Sequence, residues 1–265
     1  MFLVVDIGNS HTVTGIFKDG KLVGQWRIKS ESKSTADELG INYHTLFSLS
    51  GIDKGDIEGV VIASVVPTLQ TAWVNFCKKH FSTLKESDIF VVNVDKIKDL
   101  ITVRLDNPKE VGADRLVNGI AAWNLYRSKQ VVIDFGTAIT FDCITEKCDY
   151  LGGAILPGIA ISLEALADRT AQLPHIDVSE MPSSVIGKST VEAMKSGLLY
   201  GYGAMIDGLV KNIKTEMIAD QDEEFRVVAT GGMAQLIAPF ADSIDVIEPM
   251  LTIYGLEYIY NTLVK

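Results

Sequence analysis

Apolar and polar positions along the chain switch between two periods, and the switches divide it into two cycles of strands followed by helices. Phe2 to Ile7 is an apolar run broken only by Asp6, which predicts a buried strand closing in the turn Asp6-Ile7-Gly8-Asn9-Ser10. Thr12 to Phe17 is rich in β-formers, Lys18-Asp19-Gly20 carries hairpin chemistry, and Lys21 to Ile28 continues as a third strand. Thr35 to Leu49 changes period: Leu39, Ile41, Leu46 and Leu49 suit a helix capped by Ser34 or Thr35. Gly59 to Val66 predicts a strand, Pro67 the start of a helix to about Phe81, and Asp88 to Val94 another strand.

A second cycle follows. Gly112 to about Tyr126 predicts a helix, Gln130 to Asp134 a strand ending in Asp134-Phe135-Gly136-Thr137-Ala138, with strands near Ile139 to Ile144 and Tyr150 to Leu156. Pro157-Gly158 opens a helical stretch to about Leu173, and Ser189 to Met217 reads as a long helix. Arg226 to Ala229 predicts a strand closed by Thr230-Gly231-Gly232, before a helix, a strand and a terminal helix over Met233 to Phe240, Ile244 to Ile247 and Leu251 to Val264. The two openings superpose: Val4 to Ser10 lies over Val132 to Ala138, and without a gap Thr12 falls on Thr140, Ile16 on Ile144 and Gly24 on Gly152. A repeated strand–hairpin–helix unit implies two similar lobes facing a cleft, joined near Asp106 to Gly112, where Asn107-Pro108 breaks structure.

The chain of 265 residues is 47% hydrophobic with 22 Gly and 7 Pro, enough for a sizeable core and without low-complexity segments. Its net charge of −10, from 24 basic and 34 acidic residues, and the lack of a Lys/Arg cluster argue against nucleic acid or an anionic membrane as a partner. A bound nucleotide would then be held by backbone N–H groups, helix N-termini and cations rather than by bulk positive charge. Cys77, Cys143 and Cys148 follow no disulfide or zinc spacing, which fits a reducing compartment. Without a signal peptide or an apolar run of membrane-spanning length, the expected location is the cytoplasm.

Asp6 and Asp134 each end a predicted strand ahead of a glycine. Each reads either as a turn-capping acid bonded to its own backbone or, as a pair from two lobes, as oxygen ligands at a phosphate–metal site. Gly8 and Gly136 let the backbone turn tightly and aim N–H groups at phosphate, and Asn9, Ser10, Thr12, Thr137 and Thr140 add short donors. Neither the P-loop pattern nor the G-x-G-x-x-G dinucleotide fingerprint occurs at these turns. Thr230-Gly231-Gly232 is a plain strand-to-helix turn or a close approach of backbone to an adenosine moiety. Asp114 in Gly112-Ala113-Asp114-Arg115 is a first-turn acid favoured by the helix dipole or a general base on a substrate hydroxyl, with Arg115 as a fork for an anion. Of the scattered histidines, His11 alone stands in a turn where it would touch a nucleotide, and no Ser-His-Asp or His-metal spacing supports hydrolase or zinc chemistry.

The set Asp6 to Ser10, Asn107-Pro108-Lys109-Glu110-Val111-Gly112-Ala113-Asp114-Arg115, Asp134 to Ala138, Gly152-Gly153 with Pro157-Gly158, and Thr230-Gly231-Gly232 resembles the type III pantothenate kinases of the acetate and sugar kinase and actin superfamily, in order over essentially the whole chain. The acidic turns mark the superfamily, and the segment from Asn107 to Arg115 is far more specific. The resemblance implies an α/β fold of two actin-like (ribonuclease H-like) lobes, 1–111 and 112–265, each a copy of a β-β-β-α-β-α-β unit with a cleft between. It implies phosphoryl transfer from ATP to the 4′ hydroxyl of pantothenate, the first step of coenzyme A synthesis. By position, Asp6, Ile7, Gly8, Asn9, Ser10, His11, Thr12, Val13 and Thr137 would bind ATP, with Asp6 near Mg²⁺ and Asp134 holding K⁺ or NH₄⁺. Asp114 would accept the proton, and Gly112, Ala113, Asp114, Arg115 and Thr190 would contact pantothenate, Thr190 across a homodimer. The chain departs from the family pattern at Leu105, where Tyr is common, at His11, where Asn is usual, and at Ser189, which replaces a common Asn. Two further readings are a kinase or phosphatase of the superfamily acting on another small acid, and a non-catalytic transcriptional accessory factor, against which intact Asp6, Asp114 and Asp134 count.

Overall fold

Phe2–Ile7 forms strand β1 in the computed structural model, which describes residues 1–178, 181–218 and 224–265. β2 (His11–Lys18) and β3 (Lys21–Lys29) complete an antiparallel meander. Its second turn places Asp19 at φ 51° and Gly20 at φ 72°, the two left-handed residues that a two-residue hairpin of right-handed twist requires. α1 (Ala36–Leu49) begins in a full capping box: Glu38 N–H donates to Thr35 Oγ1 and Thr35 N–H donates to Glu38 Oε2. β4 (Gly59–Ser64), α2 (Pro67–His80, with Pro67 in the first turn) and β5 (Ile89–Val91) follow. The sheet order is β3-β2-β1-β4-β5, with β1, β4 and β5 parallel.

One face of this sheet packs on α1 and α2 through a core of Leu3, Val5, Ile7, Tyr43, Trp73 and Phe76. The other face of β1, β2 and β4 is covered by α7 (Leu251–Leu263), the last helix of the chain, where Phe2 and Tyr260 stack with ring centroids 4.0 Å apart. Burial on both faces explains why β1 and β4 read as near-continuous apolar runs rather than alternating ones.

A two-residue strand, β6 (Thr102–Val103), and a 3-10 turn over Pro108–Glu110 lead into α3 (Ala113–Tyr126). Asn107 caps that turn by accepting from Lys109 N–H, and Pro108 occupies its first position, so the expected break in structure is an ordered turn.

The second cycle comprises β7 (Lys129–Phe135), β8 (Ala138–Ile144), β9 (Asp149–Pro157), α4 (Ile159–Arg169), α5 (Thr190–Met217), β10 (Phe225–Thr230), α6 (Ala234–Ile237) and β11 (Val246–Ile247). Its strands run β11-β10-β7-β8-β9, the same order and directions as β5-β4-β1-β2-β3. The repeat is therefore a repeat of topology, with the helix pair α4–α5 where the first copy has α1 alone. Val131, Ile133 and Phe135 bury against Leu198, Leu199, Tyr202 and Ile206 of α5.

Two expectations change. Compact packing divides the chain into 1–121 with 250–265, and 122–249, rather than 1–111 and 112–265. The reason is that α7 returns to the first sheet and takes the start of α3 with it. Thr252 Oγ1 donates to Asn118 Oδ1 at 2.7 Å, and Gly255 lies against Val117 and Ala121.

The ungapped superposition also slips. Asp6 pairs with Val13 across the first hairpin, but Asp134 pairs with Thr140 across the second, so the second turn is one residue shorter and Thr140 stands where Val13 does, not Thr12. A bulge after Cys143 in the β8–β9 pair matches the one after Ile16, so Cys143 answers Ile16, while Gly152 answers Gly24 as expected.

Candidate active site

The parallel strands β1 and β4 end side by side at Ile7 and Ser64, and ligands in open α/β sheets gather at such carboxyl ends. Asp6, half-buried, is the last-but-one residue of β1. The turn after it is closed by Gly8 N–H donating to His11 O at 3.1 Å, and the second turn by Gly136 N–H donating to Ala138 O at 3.1 Å. Those two N–H groups hold the turns shut, which leaves phosphate contacts to other N–H groups of the turns. What the first turn presents outward is Asn9, Ser10 and His11, all exposed. Thr12 is buried, and its hydroxyl pairs with Ser30 Oγ at 2.9 Å, which makes it a brace of the hairpin.

His11 Nδ1 stands 3.2 Å from Arg27 Nη2. A guanidinium only donates, so Nδ1 is the acceptor and the ring carries its proton on Nε2. Burial, and then the neighbouring Arg27 cation, hold the His11 pKa below its ordinary value, which keeps the ring neutral for that role. Arg27 is not evident from sequence because its nearness to the turn arises from strand register; the signal was the alternation of exposed Gln25, Arg27 and Lys29 along β3.

Gly112 to Arg115 joins the same unit at the start of α3. Val65 links it to β1: its N–H donates to Ile7 O at 3.0 Å, and its Cγ1 lies 3.3 Å from where a Cβ on Gly112 would stand. Such a Cβ would also sit 2.5 Å from Asp114 Oδ1, so only a glycine leaves that carboxylate in place. Asp114 Oδ1 accepts from Arg115 N–H at 2.8 Å. Burial raises the Asp114 pKa above its ordinary value, and the bond and charge of Arg115 only partly oppose this. A carboxylate made more basic by desolvation, with one oxygen anchored, is the state a general base requires.

In the second unit Asp134 lies at the end of β7 in register with Thr230 of β10. Thr230 is buried and its hydroxyl donates to Glu248 O at 2.7 Å. The next residue, Gly231, adopts φ 91°, and a side chain there would collide with Asp134 Oδ1 and with the backbone of Phe135. The bare backbone thus leaves a cradle beside the carboxylate. Thr137 is exposed at the tip of the second turn. Thr190 opens α5 under a Ser189 cap and lines an apolar groove of about 370 Å³ with Leu166, Leu173, Ala193 and Met194.

Among the described residues, no group of three or more His, Cys, Asp or Glu side chains converges as a metal cage. The single carboxylates Asp6 and Asp134 fit cations whose remaining ligands are phosphate or backbone oxygens, the way Mg²⁺ is usually held in kinases. Cys77, Cys143 and Cys148 are buried and in no disulfide. Among the described residues no helix is long and apolar enough to cross a membrane.

The chain resembles known proteins over nearly its full length. The sequence profile described as type III pantothenate kinase matches residues 2–212. A type III pantothenate kinase of Desulfotalea psychrophila is 54% identical over 265 residues, covering 100% of this chain and 99% of its own. One from Halalkalibacterium halodurans is 43% identical, covering 98% and 99%. Among solved structures, a protein from Campylobacter jejuni described as a Baf family transcriptional activator superposes with a TM-score of 0.58 at 19% identity, covering 98% of both chains. At that identity the likeness shows the fold alone, and it does not favour a transcriptional role. The profile covers most of the chain and both relatives match over nearly its full length: this chain belongs to the type III pantothenate kinase family.

Proposed function

We propose that the chain transfers the γ-phosphoryl group of ATP to the 4′ hydroxyl of pantothenate, opening coenzyme A biosynthesis, with Asp114 as the base. The observation that carries the assignment of the base is the Asp114 carboxylate, anchored at Oδ1 by Arg115 N–H and made more basic by burial. Phosphoryl transfer asks mainly for positioning and charge neutralisation, with a base to orient the nucleophile. Asp114 Oδ2 takes the hydroxyl proton, while Gly112, Ala113 and Arg115 hold the rest of pantothenate. Asp6 and the turn from Ile7 to Val13 receive the ATP phosphates through the backbone of Asn9, Ser10 and His11, with Thr12 bracing the turn; in the other unit, Thr137 at the tip of its turn is a candidate nucleotide contact.

Asp6 would hold Mg²⁺, and Asp134, in the cradle opened by Gly231, would hold K⁺ or NH₄⁺. When bound, these cations neutralise phosphate charge that a chain of net charge −10 cannot meet by itself. Ile161, Leu166 and Val191 leave an exposed apolar face on α4 and α5, which supports a homodimer that brings Thr190 to the partner's substrate. A cytoplasmic location suits an enzyme that draws on ATP.

The test is a steady-state assay of the full chain with MgATP and a panel of small hydroxy acids, in K⁺, NH₄⁺ or Na⁺, with light scattering for the oligomeric state. Turnover confined to pantothenate, raised by K⁺ or NH₄⁺ over Na⁺, in a dimer is expected. Turnover of another acid in preference would overturn the substrate, equal rates in all three salts the monovalent site, and a monomer the role of Thr190.

A further inference from the structure

The first turn carries more charge chemistry than its backbone. Cross-strand partners in an antiparallel sheet project to one face, and Asp6 pairs with Val13, which pairs with Arg27. His11 pairs with Lys29 in the same way. Asp6, His11, Arg27 and Lys29 therefore share one face of β1–β2–β3, opposite the face on which Thr14 meets Tyr43 of α1. Arg27 lies two strands from Asp6, roughly 10 Å at the usual strand spacing, a gap that its long side chain and a chain of phosphates can together bridge.

The end of β3 is also tied to the turn. Ser30 N–H donates to Ser10 O at 2.9 Å, and Ser30 Oγ meets Thr12 Oγ1. Lys29 is engaged with Glu31 at 3.0 Å. Arg27 is the cation of this face that the turn itself positions, because His11 Nδ1 accepts one of its five N–H donors and fixes the plane of the guanidinium. Planar, always charged and bidentate, a fixed guanidinium suits phosphate oxygens better than a flexible ammonium does.

We propose that Arg27 binds the β- and γ-phosphates of the nucleotide beside the first turn, and that His11 is its positioning residue. The proposal rests on the reading that this turn receives ATP. It also gives His11, a departure from the usual Asn, a defined role. An Asn side chain also offers an acceptor, so His11→Asn should keep the pair with Arg27.

Binding of ATP and of adenosine to the full chain, measured by titration calorimetry, tests it. For Arg27→Gln the ATP dissociation constant should rise about tenfold or more, as loss of a charge-assisted phosphate contact implies, with adenosine binding within about twofold of wild type. Arg27→Lys should fall between. His11→Asn should bind ATP within about twofold of wild type, whereas His11→Ala, which has no acceptor, should lose about threefold to tenfold. Arg27 is exposed, so its variants should melt as the wild type does. Unchanged ATP binding in Arg27→Gln, equal losses for ATP and adenosine, or a defect confined to the KM for pantothenate would each overturn the proposal. A wild-type chain that binds adenosine but gains nothing from phosphates overturns the underlying reading of the turn as well.

Discussion

The turn after β1 and the turn after β7 are built alike and equipped differently. Both follow a strand flanked by one antiparallel and one parallel neighbour, both place an acid two residues before a glycine, and both are closed by that glycine's N–H. The first has one residue more and presents Asn9, Ser10 and His11 with Arg27 behind them. The second is shorter, and its acid is backed by a left-handed glycine from the neighbouring strand end. The frame is repeated, and under the function proposed above the one-residue difference in length separates the roles, with donors for phosphate in the first turn and a carboxylate for a cation in the second. Asp114 belongs to neither turn. It enters on α3, yet it depends on the same device as Asp134, a glycine whose missing side chain leaves space for a carboxylate.

The largest effect should come from the residue outside the comparison. Asp114→Asn should lower kcat by about 10²- to 10⁴-fold, the span of a lost general base. It should not lower the melting temperature, and the sign follows from linkage. A folded-state pKa raised above the unfolded one means that ionising Asp114 destabilises the fold as pH rises through that window, and Asn removes the penalty at neutral pH. The wild-type kcat/KM should correspondingly fall on acidification at a pH above the ordinary carboxylate range. A pH–rate profile and a melting curve check both statements.

The two turns should then fail differently. Asp6→Asn should raise the Mg²⁺ and ATP needed for half-maximal rate by about tenfold while keeping the response to K⁺, and Asp134→Asn should flatten the K⁺ response with a smaller change in the ATP requirement. Rates over a grid of Mg²⁺ and K⁺ concentrations separate them; identical phenotypes would break the division of labour. The smallest and sharpest contrast lies between the glycines. Gly231→Ala must place an L-residue at φ 91° beside Asp134, and Gly112→Ala crowds Asp114 without a positive φ. Gly231→Ala should therefore cost an extra ~1–2 kcal/mol of stability over Gly112→Ala, seen as a lower Tm. Gly112→Ala should instead show its effect mainly in kcat.

Much of the fold was legible because its signals are local. The capping box at Thr35, Pro67 at the head of α2, the Asp19-Gly20 hairpin and the Ser189 cap each act within a few residues of the boundary they set. The misses share a cause. The slip between the hairpins, the return of α7 to the first sheet, the burial of Thr12 and the His11–Arg27 pair are all set by register or by contacts distant in sequence, which no window of residues contains. Asp6, Asp114 and Asp134 were readable as residues that chemistry would need. The glycines that fit Asp114 and Asp134, and the raised pKa of Asp114, required the packed structure.

The central claim is that Asp114 activates the 4′ hydroxyl of pantothenate toward ATP. Its most direct test is ³¹P NMR and mass spectrometry of the products formed from MgATP, K⁺ and either pantothenate or its 4′-deoxy analogue, by wild type and by Asp114→Asn. A phosphomonoester on pantothenate is expected with wild type, none on the analogue, and almost none with the variant. Phosphorylation of the analogue, or near-normal product from Asp114→Asn, would contradict it.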